Sequence, residues 1–196
     1  RDCPIDLHAG PSEIVVCSSA GNPAWIAADL IAQAEHDPAA RAILVTTRTP
    51  LAAAVAREVA KTMPETGPAA KAIADNGAIV VANSRSEAAA IVNRLAPEHL
   101  VIDAGDDAGR YVSAGTIFVG DYSVQAAGDY CTGSNHVLPT GGAGRFRGGL
   151  SASDFVRVFS VQTLSAAAMR RIGHAAATLA DAEGLSAHAA SIRLRL

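Results

Sequence analysis

The sequence is short of cysteine, lysine and aromatic residues, and each shortage closes off a class of protein. Cys3, Cys17 and Cys131 are odd in number, far apart and without a C-x-x-C pair, so neither a disulfide framework nor a thiolate zinc site is expected. Lys61 and Lys71 are the only lysines, and sixteen basic residues face nineteen acidic ones for a formal charge of −3. No basic stripe is available to neutralise a run of phosphates, which argues against nucleic acid as a partner. An Arg- and Ala-rich, lysine-poor composition is a bias that GC-rich bacterial genomes produce. No apolar run approaches the roughly 20 residues needed to cross a bilayer, and no charged-then-apolar leader opens the chain. The expected setting is a reducing cytoplasm, with no membrane partner. A Gly-x-Ser-x-Gly elbow is missing, which leaves Ser12 a poor acyl nucleophile. Gly142-x-Gly144 lacks the third glycine, the preceding strand and the later acid of a dinucleotide fingerprint.

What the chain does have is apolar text, 49% of its 196 residues, enough for one globular domain with a short appendage. Short β-branched runs predict strands at 13–17, 42–47, 78–81, 100–102 and 116–119. Helical spacing falls between them at 25–35, 50–62 and 86–95, the last capped by Ser84 or Ser86, with a short helix over 107–113. Such alternation implies βαβ units and an α/β, Rossmann-like fold with a mainly parallel sheet. After Gly120 the rhythm stops, and 121–149 reads as a long Gly-, Asn- and Pro-containing loop of the kind that carries function. From Ser151 the text is helical again, over 153–159, then 165–183 with Gly173 as a break, then 186–196 with Gly184 and Ser186 at the junction. The expected organisation is an α/β catalytic portion over 1–150 and a helical tail over 151–196. The tail's last two helices are short and Ala-rich, so they are expected to need another surface. The opening on Arg1 rather than Met suggests a piece of a longer protein.

Polar residues stand out in four places. Gln33 and His36 are three apart at the carboxyl end of a predicted helix, on one face. Alone, such a pair reads as a solvated amide and a histidine at a helix dipole. Asp129 in the long loop and His188 in the tail add a carboxylate and an imidazole, and the four together suit zinc or a similar divalent ion with positions left open. Glu98 and His99 sit where a helix gives way to a strand. They read either as a carboxylate and general base or as a surface acid and a hydrogen-bonded strand histidine. The stretch from Gly128 to His136 crowds an acid, a phenol, an amide and an imidazole among glycines. Asx turns account for Ser134 and Asn135 but not for Asp129 or His136.

Taken in order, several motifs resemble histidinol dehydrogenases. They are Ile5-Asp6 with Ala9-Gly10-Pro11-Ser12-Glu13, Asp29-Leu30 with Gln33-Ala34-Glu35-His36-Asp37, and Leu95-Ala96-Pro97-Glu98-His99-Leu100. Ala114 to Gly120, Gly128-Asp129-Tyr130, Asn135 to Thr140 and Glu183-Gly184-Leu185-x-Ala187-His188 continue the series. The resemblance implies one zinc per subunit on Gln33, His36, Asp129 and His188, and a catalytic pair in Glu98 and His99. It also implies substrate contacts from Ser12, Tyr130, His136 and Glu183 as well as from His99 and the metal ligands. The implied reaction is oxidation of L-histidinol through the aldehyde to L-histidine, in histidine biosynthesis, with NAD reduced at each step. NAD contacts are expected upstream of Arg1, in a half that also adds strands to an otherwise incomplete sheet, so no NAD-binding residue is assigned here. A homodimer is implied too, with the tail exchanged so that His188 completes the partner's site. His8, Cys131 and Ser134 depart from the pattern without touching an implied ligand. Two other readings stand beside this one. One is a relative acting on a different amino alcohol or diol. The other is an inactive zinc-binding or dimerisation module.

Overall fold

A computed structural model describes residues 10–196; the Ile5-Asp6 motif, His8 and Cys3 lie outside the described residues. Two compact units divide the chain, Arg1–Phe155 and Val156–Leu196. Among the described residues no helix is long and apolar enough to cross a membrane.

The first unit is built on a parallel sheet. Its strands are β1 (Glu13–Cys17), β2 (Arg41–Thr46), β3 (Gly77–Val81), β4 (His99–Ile102) and β5 (Thr116–Val119), in the order β3-β2-β1-β4-β5. Every neighbouring pair is parallel. This is the order of a Rossmann-like half sheet, with the chain reversing direction of travel between β1 and β4. Every residue of β1 is buried, as a central strand covered on both faces demands. Its side chains alternate. Ile14 and Val16 join Ile26, Leu30, Leu44 and Val55 on one face, while Val15 and Cys17 join Val45, Val92, Leu100 and Tyr111 on the other.

Three helices, α1 (Pro23–Ala34), α2 (Thr49–Thr62) and α3 (Pro68–Asn76), supply residues to the first face, and α4 (Arg85–Leu95) to the second. Asn22 caps α1 by accepting from the Ala24 amide at 2.9 Å. Ser84, not Ser86, caps α4: its Oγ accepts from the Glu87 amide at 3.1 Å while Glu87 accepts from the Asn83 amide at 2.7 Å.

Several sequence expectations need correction. Helix α3 was not expected, because its inward face is made of Ala69 and Ala72, residues too small to give an apolar stripe. Helix α1 stops at Ala34 with Glu35 as its cap, so His36 lies just beyond the helix rather than on its last turn. The helix expected over 107–113 is only a three-residue 3₁₀ turn, Ala108–Arg110. The one expected over 153–159 shrinks to the 3₁₀ turn Ala152–Phe155.

In the second unit α5 (Ala166–Ala182) runs through Gly173 without a break, and α6 (Ser186–Arg193) folds back on it. Gly173 serves the crossing: a Cβ there would stand 2.4 Å from the Leu196 side chain. Gly184 takes φ +77 at the turn, the left-handed conformation that a residue following a helix end favours. Leu185, not Ser186, is the capping residue of α6, and Ser186 is its first helical residue. Arg193 and Asp181 tie the two helices by an ion pair.

Candidate functional site

The candidate site residues gather at the amino ends of β1 and β4. In this parallel pairing Ile14 lies opposite His99, so Glu13 and Glu98, one residue earlier on each strand, come side by side. Because α1 runs back along the sheet, its carboxyl end returns to the same edge with Gln33 and, just beyond, His36. It also packs on the 3₁₀ turn Gln125–Asp129.

Chain entry into β4 is strained. Ala96, fully buried, has φ 49 and ψ 59 and is the only non-glycine with positive φ among the described residues. That left-handed turn costs about 1–2 kcal/mol. It ends α4 abruptly, before Pro97, and sets Glu98 and His99 at the mouth of the sheet.

His99 is 3% exposed and Glu98 5%, so the surface-acid alternative for Glu98 does not hold. Imidazole Nδ1 lies 3.3 Å from the Glu13 carbonyl oxygen and 3.5 Å from Glu98 Oε2. A proton on Nδ1 satisfies both acceptors and leaves Nε2 as the bare nitrogen of the neutral ring. Nε2 is buried with no hydrogen-bond partner among the described residues, 4.0 Å from Asp129 Oδ1. Glu98 Oε2 is itself held by the Glu13 amide at 3.0 Å.

Asp129 is the hub. Its side chain is 9% exposed, with His136 Nδ1 at 3.3 Å and His36 Nε2 at 3.9 Å. Three imidazoles from separate segments therefore surround one carboxylate. Gln33 is 0% exposed, and neither of its amide atoms has a partner among the described residues. Burying an amide this way is costly unless something completes it. Among the described residues no three His, Cys, Asp or Glu side chains are grouped so as to hold a metal by themselves. A metal here needs the amide oxygen of Gln33 and a further donor. Two imidazoles, a carboxylate and an amide oxygen form a nitrogen and oxygen set that a borderline ion such as zinc accepts.

Of the other residues singled out from the sequence, Ser12 is half-buried beside Glu13, and its carbonyl accepts from the Arg41 amide at 3.0 Å. Tyr130 follows Asp129 but its ring is 85% exposed. Glu183 caps α5 and His188 is exposed on α6, both within the second unit. Sequence reasoning passed over two buried polar residues. Gln125, 1% exposed with Oε1 unpartnered, stands four residues before Asp129. Glu13 carries a carboxyl that burial pushes above its ordinary range, that Arg41 pulls down and that Glu98 pushes up again. An acid opening a wholly apolar strand was the available signal for it.

Sheets of this order usually take ligands at the carboxyl ends of the strands, where the order reverses. Here two openings lie at that end, one lined by Ser18, Asn22, Trp25, Asp29 and Asp103 and the other by Ser19, Thr47, Arg85, Asp106 and Tyr111, and internal bonds tie the loops between them. Asp103 accepts from the Ser18 hydroxyl and the Ser19 amide, and Ser19 and Thr47 share a hydroxyl hydrogen bond of 2.7 Å.

Comparison with known proteins agrees with this architecture. The family model described as histidinol dehydrogenase matches residues 1–196. The histidinol dehydrogenase of Gluconobacter oxydans is 49% identical over 98% of this chain and 46% of its own length. That of Halobacterium salinarum is 46% identical over 99% of this chain and 48% of its own. The crystal structure of histidinol dehydrogenase from Elizabethkingia anophelis superposes with a TM-score of 0.87 at 33% identity, covering 97% of this chain and 45% of that one. The chain spans about half the length of the curated relatives it matches.

Proposed function

The chain belongs to the histidinol dehydrogenase family, and from that membership we propose that it forms the metal- and substrate-holding half of a zinc-dependent, NAD-linked enzyme. The proposed reaction oxidises L-histidinol to the aldehyde and then to L-histidine, in the cytoplasm. One observation carries the reading: His36, His99 and His136 converge on Asp129, at an edge that also holds a buried Gln33 amide and a buried His99 Nε2 without partners among the described residues.

Gln33, His36 and Asp129 of one subunit and His188 of a second would hold the zinc. When bound, zinc supplies Lewis acidity and orientation for the amino alcohol, and NAD supplies the hydride acceptor. The remaining chemistry belongs to side chains. His99 Nε2, bare because Nδ1 faces Glu13 and Glu98, takes the hydroxyl proton of the alcohol. Glu98 has one oxygen held by the Glu13 amide and uses the other to take a proton from the water that adds to the aldehyde. His136, and Glu183 from the exchanged tail, would give hydrogen-bond partners to the polar groups of the substrate, with Ser12 and Tyr130 at its margin. The burial of Glu98 and His99 keeps bulk water off the reacting carbon.

A homodimer with an exchanged tail follows from the same reading. Its support is the second unit, where Val158 is 92%, Val161 82% and Phe159 69% exposed, an apolar run that a further subunit would cover.

The experiment uses the complete protein containing this chain. Zinc is measured after exhaustive dialysis, and NADH is followed with L-histidinol. One zinc per subunit and two NADH per histidinol are expected. Turnover of simple diols with no preference for histidinol, or full activity in metal-free protein, would overturn the proposal.

A further inference from the structure

We infer that Glu13 is a positioning residue for the Glu98 and His99 pair, acting on both members through its own backbone, with Arg41 holding it in place. The inference rests on the reading of Glu98 and His99 as the catalytic pair.

Glu13 grips that pair at two points. Its amide donates to Glu98 Oε2 at 3.0 Å, which fixes the carboxylate. Its carbonyl oxygen lies 3.3 Å from His99 Nδ1, which fixes the ring's orientation and directs the proton to Nδ1. The two contacts come from the two sides of one α-carbon, so any rotation or fraying at this residue disturbs acid and base together. Glu13 is the first residue of β1, a place where strands ordinarily fray, and a device to hold it is therefore needed.

The side chain is that device. In the register of β1 and β2, Glu13 lies opposite Arg41, and Arg41 Nη1 donates to Glu13 Oε1 at 3.3 Å. The Arg41 amide also donates to the Ser12 carbonyl at 3.0 Å, so β2 pins the same corner twice. Charge neutralisation of Arg41 does not explain the acid. The Arg41 side chain is 59% exposed and water satisfies it, whereas the Glu13 side chain is 7% exposed and is held, besides Arg41, by backbone hydrogen bonds at Gly141 and at Glu98 itself. A carboxylate kept buried at that cost is there for the geometry it imposes. A positioning role also accounts for why the acid starts the strand: one residue later in β1, its amide and carbonyl would miss Glu98 and His99.

The test is made in the complete enzyme with L-histidinol. Glu13→Ala should lower kcat on the order of tenfold to a hundredfold while leaving KM within about twofold, as expected when catalytic groups are misplaced rather than substrate binding lost. Glu13→Gln, which keeps the shape and an acceptor for Arg41, should restore most of the rate. Arg41→Ala should lower kcat in the same direction, and the double variant should be no slower than Glu13→Ala, because both act through one contact. Imidazole ¹⁵N shifts of His99, assigned with His99→Asn, should show the Nδ1-protonated tautomer in the parent and a tautomer mixture in Glu13→Ala. A merely structural role predicts instead a lower melting temperature with the tautomer and the rate per folded molecule unchanged, and that result overturns the inference. Additive losses in the double variant overturn it as well. If Glu13→Ala does not fold, Glu13→Gln and Arg41→Ala carry the same two readouts. Should His99→Asn leave both oxidations intact, the catalytic pair itself is wrong; should it abolish them while Glu13 and Arg41 variants retain parental rate and tautomer, only the positioning role falls.

Discussion

The ring of Phe118 stacks on the imidazole of His99, with centroids 5.9 Å apart and planes inclined by 28°. The tip of the same ring meets Gly128, where an added Cβ would stand 2.7 Å from Cζ. The ring is thus a wedge between the residue preceding Asp129 and the proposed base. In the complete enzyme Gly128→Ala should push Phe118 against the imidazole and lower kcat on the order of tenfold to a hundredfold, with melting temperature little changed. Phe118→Leu should partly rescue it by making room. A fully active Gly128→Ala enzyme would show that the wedge does not set the position of His99.

The proposed metal site predicts a second set of outcomes. His36→Ala, Asp129→Ala and His188→Ala should each lose stoichiometric zinc on dialysis, measured by elemental analysis of the complete protein. Full zinc retention by the His36 and His188 variants would remove both from the donor set.

Division of labour between Glu98 and His99 is separable because the two oxidations can be assayed alone. Glu98→Gln should spare alcohol oxidation and slow aldehyde oxidation, since an amide cannot take a proton from water. His99→Asn should impair the first step. Equal loss of both steps in the Glu98 variant would count against the split.

Asp29 offers a test by pH. Burial raises its carboxyl from 3.8 to about 6. The folded chain therefore holds this proton to higher pH than the unfolded chain does. The stability contributed is complete below about pH 4 and is lost as pH rises through about 6. Asp29→Asn should match the parent near pH 3.5 and exceed it by about 1 kcal/mol at pH 7.5, a figure already reduced for the carboxyl's partial exposure. A gap that urea denaturation finds equal at both pH values would refute the burial argument.

Much of this fold was legible because its strands are β-branched and its helices capped: Glu13 to Cys17 could be read as a buried strand, and Ser84 as one of two possible caps. Helix α3 was not, since alanines at 69 and 72 bury little area and give no stripe, while Gly67 and Pro68 look like loop text. In the site, Gln33, His36, Glu98, His99, Asp129 and His136 were visible as side chains of the right chemistry. Glu13 was not, because it acts through peptide groups that every residue possesses. Gln125 was hidden likewise, being a polar residue whose burial depends on the packing of α1 against its turn.

The lacing of Ser18, Ser19 and Thr47 with Asp103 ties the loops at the end of the sheet opposite His99. Four- to six-residue strands separate the two ends by roughly 13–20 Å at 3.3 Å per residue, far enough for substitutions at one end to be felt little at the other. That end is therefore a handle. Cross-links, spectroscopic labels or surface attachments placed among those loops would load the scaffold mechanically without touching the proton-transferring groups, and a redesigned crevice there would add a second ligand to the same domain instead of replacing the first.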